Sequence, residues 1–168
     1  MSARGISMIE VLVALAVVAI GMLGLLGMQA RALRLQADAF HIGQAADLAA
    51  QFAERMRSNH LAVLAGHYSL RFDAAAPVPA PAPACVPPCS SAQVATRDLV
   101  EWQAELRRRL PGAAGYVLAD AGGPRGVEVS LAWPQPRFAG ADDACDALER
   151  AGLAVPAGYR CYRTRVLP

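Results

Sequence analysis

No lysine occurs in the 168 residues: all 16 basic side chains are arginine, set against 14 acidic ones for a net charge of +2. A balance so near neutral does not by itself call for a nucleic-acid or acidic partner. The chain also lacks the local motifs of common catalysts. It has no glycine-rich phosphate loop, no HExxH, no GxSxG and no cysteine–histidine pairing. Its three histidines, His41, His60 and His67, are scattered. His60 and His67 are near enough in sequence to share a site, but surface or packing roles are the commoner use of such residues. No enzymatic activity and no cofactor is expected.

Cysteine is scarce, and all of it lies in the C-terminal half: Cys85, Cys89, Cys145 and Cys161. A structural zinc site wants two close pairs, whereas these pairs are four and sixteen apart with no histidine near either. No metal is expected. An even count in an exported domain favours two disulfides. Of the three possible pairings, the expected one is Cys85–Cys89 with Cys145–Cys161.

What is abundant is apolar surface, and it is concentrated at one end. Residues 1–5 are polar, with Arg4 the only charged side chain, and from Ile6 to Met28 only Ser7 and Glu10 break an apolar run. At about 1.5 Å per residue this run spans about 35 Å as a helix, enough to cross a bilayer core of about 30 Å. A cleaved secretory signal would have a shorter apolar core ending at a small-x-small site. A plain anchor fits the length but leaves Glu10 unexplained. A carboxylate near one end of a spanning helix is costly, and such residues are paired, functional, or placed to reach the headgroup layer.

Glu10 does not stand alone. The string Arg4-Gly5-Ile6-Ser7-Met8-Ile9-Glu10-Val11-Leu12-Val13-Ala14-Leu15 resembles the prepilin signal of type IV pilins. The resemblance implies that a prepilin peptidase cuts between Gly5 and Ile6, that Ile6 becomes N-methylated, and that Glu10 is the fifth mature residue and docks the subunit. Ile6 departs from the phenylalanine usual at that place. Further strings narrow the likeness: Ile20-Gly21-Met22-Leu23-Gly24 through Arg34, Ala49-Ala50-Gln51-Phe52 through Asn59, Leu99-Val100-Glu101-Trp102-Gln103 and Leu110-Pro111-Gly112. These are most similar to the type IV pilus modification protein (PilV) family of minor pilins. The likeness covers the first sixty residues well and the rest in patches.

The family implies a structural subunit that primes pilus assembly or alters adhesion. Its implied partners are the prepilin peptidase, other major and minor pilins met through their N-terminal helices, and the inner membrane. Two rival readings stand beside it: a minor pseudopilin of type II secretion, and a DNA- or surface-binding module displayed on the pilus. For the second, Arg107, Arg108 and Arg109 form the dense basic run, with Arg160, Arg163 and Arg165 as further candidates. Three arginines can touch phosphate, but a solvated helix end that favours cations is the preferred account. Flanking charge nearly ties, with Arg4 and the α-amino group on one side and Arg31 and Arg34 on the other. Cysteine use breaks the tie. Disulfides need an oxidising compartment, so the N-terminus is expected in the cytoplasm and the C-terminal domain in the periplasm.

The expected organisation is a leader at 1–5, a spanning helix at 6–28, its amphipathic continuation at 29–59 and a globular domain at 60–168. Leu33, Phe40, Leu48, Phe52 and Met56 make a helical stripe read as a core face. Gly21, Gly24 and Gly27 either permit close helix approach or loosening in a membrane, or are ordinary tolerated membrane glycines. Residues 77–88 hold six prolines and read as an extended, polyproline-like loop. Ser90 or Ser91 caps a second helix reaching Leu110, which Pro111-Gly112 ends. Strands are expected at 116–119, at 127–133 with a half-buried alternation, and around Tyr162, Thr164 and Val166. A short helix capped by Asp142 or Asp143 runs through Leu148. The fold class is α+β: a long N-terminal helix packed on a small antiparallel sheet.

Overall fold

A computed structural model describes residues 7–82, 84–119, 126–135, 143–150, 152–153 and 155–167. The chain divides into two compact units, Met1–Phe40 and His41–Pro168. One helix, α1 (Met8–Ser58), contributes to both. In the first unit it is the single described element, and every residue from Ser7 to Ala37 is exposed.

In the second unit α1 buries Ala45, Leu48, Ala49, Phe52, Ala53 and Met56. These residues recur at steps of three and one, the spacing of one helical face. The expected stripe therefore holds for three of its five residues. Leu48, Phe52 and Met56 are core residues, whereas Leu33 and Phe40 belong to the first unit and are 65% and 62% exposed. After α1 comes a five-residue helix, α2 (His60–Leu64), and a short strand, β1 (Leu70–Phe72). Neither was expected, since five and three residues are too short to show a period.

Helix α3 (Ser91–Arg109) starts on a reciprocal capping box. The Ser90 hydroxyl accepts from the Gln93 amide at 3.2 Å, and the Gln93 side chain accepts from the Ser90 amide at 2.9 Å. The cap is thus Ser90 of the two candidates. Beyond Leu110 the chain turns through Gly112 at φ +76°, a conformation glycine adopts without a Cβ penalty.

Strands β2 (Ala114–Ala119), β3 (Val127–Pro134) and β4 (Tyr159–Val166) join β1 in a four-stranded antiparallel meander, with order β1-β2-β3-β4. Strand β2 begins two residues before the expected start. A helix α4 (Asp143–Arg150) lies between β3 and β4 in sequence. The candidate cap Asp142 lies outside the described residues.

Strand β3 departs from the half-buried expectation. Val127, Val129, Leu131 and Trp133 enter the main core with Phe52, Trp102 and Leu106 of α1 and α3. Ser130 and Ala132, on the other face, are buried too. Ala132 joins a second cluster with Ala114, Leu148, Leu153 and Cys161, so α4 covers that face. The small side chains at 130 and 132 leave room for it.

The main core is ordered by aromatic rings. Phe52 stacks on Trp102 with centroids 4.4 Å apart, and Tyr68 and Phe72 meet these rings edge-on. The indole N–H of Trp102 donates to the Leu48 carbonyl at 3.1 Å, tying α3 to α1. Phe72 lies opposite Gly115 in the sheet, and a Cβ there would come within 2.6 Å of the ring. Helix, second helix and small antiparallel sheet together make an α+β, pilin-like fold.

Candidate functional site

Gly5 and Ile6, the expected cleavage and methylation positions, lie outside the described residues. Glu10 stands in the first turn of α1, where its amide and that of Val11 donate to the Ser7 carbonyl. Its side chain is exposed, as are those around it. By length and composition α1 can cross a membrane, and its most apolar window is entirely exposed. A Cβ on Gly21, Gly24 or Gly27 would meet nothing within 4 Å, so no contact among the described residues requires glycine there.

The cysteines are joined as Cys85–Cys89 and Cys145–Cys161, with Cα–Cα distances of 5.7 and 5.1 Å. Both fall in the usual disulfide span. The first closes a small ring just before α3. The second ties α4 to β4 beside Leu148 in the second cluster.

The basic run is engaged within the domain. The Arg107 guanidinium lies 5.4 Å from the Phe72 ring centroid and donates to the Asp73 carbonyl at 2.6 Å. Arg108 and Arg109 both bind Glu105, Arg109 through its Nε at 2.6 Å. The Arg109 hydrogen bond, with the neighbouring positive charges, holds the Glu105 carboxyl below its ordinary range. Arg163 pairs with Glu128 across the β3–β4 ladder, far in sequence from that run.

Between the Pro-rich segment and the outer face of α3 runs a groove of about 970 Å³. Val78, Pro79, Pro81 and Ala82 supply one wall. The described residues of 77–88 contain neither helix nor strand. Arg97, Glu101, Glu105 and Arg108, one turn apart along α3, supply the other wall, with Arg55 of α1 beside them.

A polar network that the sequence did not announce lies under the aromatic core. The Tyr68 hydroxyl donates to Asp98 at 2.6 Å, Asn59 donates to the Tyr68 oxygen and to the Ser91 carbonyl, and Arg55 approaches Asp98 at 3.9 Å. Burial, reinforced by the Asp98 hydrogen bond, pushes the Tyr68 phenol far above its ordinary value. Tyr68 and Asp98 are thirty residues apart, so no spacing signal marks the pair. His60 and His67 are exposed. Among the described residues no group of three or more His, Cys, Asp or Glu could hold a metal ion.

Residues 1–26 match the prokaryotic N-terminal methylation motif, and residues 27–100 match the family described as type IV pilin Tt1218 (Tt1218-like). No curated protein and no solved structure matches the chain. The matches show a type IV pilin domain following a methylation motif, which supports a pilin subunit. They imply processing by prepilin peptidase, anchoring in a membrane and association with a pilus.

Proposed function

We propose that this chain is a minor type IV pilin of the pilus modification (PilV) kind, which joins other pilins to prime filament assembly or alter adhesion. The supporting observation is the succession of a methylation motif and a pilin domain, meeting at residues 26 and 27 within the continuous helix α1. The narrower assignment draws on the strings Ala49–Asn59, Leu99–Gln103 and Leu110–Gly112.

In this reading prepilin peptidase removes residues 1–5 and leaves an N-methylated amine on Ile6. Residues 6–28 cross the inner membrane, 29–59 continue the helix, and 60–168 form the periplasmic domain. Two disulfides suit an oxidising periplasm, which supports a periplasmic domain and a cytoplasmic N-terminus.

Glu10 then acts as a register key. An ionised carboxylate costs at least about 2.5–3.5 kcal/mol at a bilayer centre, less near its edge, and an anchor alone gains nothing from it. Cleavage creates a positive amine on Ile6, and N-methylation keeps the charge. In a bundle of such helices, the amine of an incoming subunit meets Glu10 of one already assembled. Apolar surroundings screen the attraction little, and a wrong axial register leaves a charge unpaired.

A clean deletion tests the assignment. It should remove twitching and surface pili while exoprotein secretion continues, and the intact gene should restore both. Loss of secretion with normal pili would instead mark a pseudopilin of the type II system.

A further inference from the structure

We infer that the groove between the Pro-rich segment and α3 binds an extended, carboxylate-bearing segment of another protein. Its volume of about 970 Å³ is at the upper end of the range of about 300–1,000 Å³ typical of ligand pockets. Five arginines line it: Arg55, Arg97, Arg107, Arg108 and Arg109. Two carboxylates, Glu101 and Glu105, line it with them, so five minus two leaves the groove at +3. Counting Asp98 beside Arg55 still leaves +2.

The pairing is uneven in a way that leaves donors open. Glu101 is shared by Arg55 at 2.8 Å and Arg97 at 3.9 Å, and Glu105 is shared by Arg108 and Arg109. Each guanidinium has five N–H donors in a fork suited to carboxylate. The side chains of Arg97 and Arg108 remain 47% and 73% exposed, so their forks are open to an incoming oxygen.

The opposite wall selects a peptide over a nucleic acid. Val78, Pro79, Pro81 and Ala82 give it an aliphatic lining, which suits side chains and a flat peptide backbone. Glu101 and Glu105 sit one turn apart among the arginines, and a continuous line of phosphates would pass over both. Spaced carboxylates can avoid them. The wall is also preset. Proline fixes the backbone, and the Cys85–Cys89 ring holds the segment's end next to the α3 cap, so little ordering is left for binding.

The full mature chain in detergent micelles should bind a fluorescein-labelled octapeptide of alternating Glu and Ala, read by anisotropy and weakened by salt. Arg108→Gln with Arg109→Gln should weaken binding about tenfold. Both side chains are on the surface, so the domain should keep its circular dichroism. Arg57→Gln removes one charge from α1 outside this groove and should leave binding unchanged. Absence of binding, equal binding of a Gln–Ala octapeptide, or unchanged affinity in the double variant would overturn the inference. So would a DNA duplex that displaces the acidic peptide at equal charge concentration, since the groove would then be a nucleic-acid site.

Discussion

Single residues separate what the chain announces from what it conceals. Glu10 is visible because charge inside an apolar run is rare. Ser90 and Gln93 are visible because a capping box has a fixed spacing. Tyr68 and Asp98 form an equally specific contact, but only the folded chain brings them together. Tyr68→Phe should therefore cost about 1–3 kcal/mol in urea unfolding, since it removes the hydroxyl donor from a buried carboxylate. The same substitution should alter alkaline stability. The folded state holds the Tyr68 proton more tightly than the unfolded chain does. Its contribution is fully present below the ordinary tyrosine value of about 10 and is lost as pH rises beyond it. Wild type should lose stability more steeply above about pH 10 than Tyr68→Phe, and equal slopes would show that the phenol is not shielded. For Glu10, the expected outcome of Glu10→Val is a protein that still inserts and is still cut, yet is absent from sheared pili. Recovery at the wild-type ratio would reduce Glu10 to a headgroup-level residue.

At the scale of elements, legibility followed length and period. Helix α3 has both a cap and a clear apolar face, and its bounds agree closely with the sequence reading. The last two strands were legible from alternation. What alternation could not reveal was the cover on the second face of β3, because Ser130 and Ala132 look like solvent-side residues until α4 is placed over them. The disulfides act at this scale. Removing Cys145–Cys161 by paired alanine substitution frees α4 from β4 and should cost about 3 kcal/mol in a chain-entropy account. The smaller Cys85–Cys89 ring should cost about 2 kcal/mol on the same account. Denaturant midpoints of the two variants, compared with wild type, check the order. A larger loss from the Cys85–Cys89 variant would show that strain or residual structure, not loop closure, decides it.

For the molecule as a whole, the sequence foretold an α+β chain on a long apolar helix, and the structure has that architecture. The core-facing stretch of α1 was less legible, because the apolar pattern continues smoothly from Leu33 to Met56 while burial begins only in the second unit. The groove was illegible as a site: its proline wall and its arginine wall read separately as a loop and a helix end. The lack of lysine gives a direct assay of maturation. The α-amino group is the only primary amine that the sequence provides. Fluorescamine, which needs a primary amine, should label the precursor and the cut but unmethylated chain, and should fail on the N-methylated one. N-terminal mass spectrometry should find N-methyl Ile6 in the unlabelled fraction. Strong labelling of protein recovered from pili, or an intact Met1 there, would contradict the proposed processing.

The chain has two tryptophans, and both lie in the main core: Trp102 against Phe52, and Trp133 in the same cluster at 2% exposure. The first unit contains neither tryptophan nor tyrosine. Excitation of the indoles thus reads the second unit alone, whatever the apolar helix is doing in lipid or detergent. Emission should be blue-shifted while the domain is folded and should move to the red when it opens. An unlabelled subunit can in this way be followed optically from micelle to vesicle to filament, with any change in colour assigned to the domain.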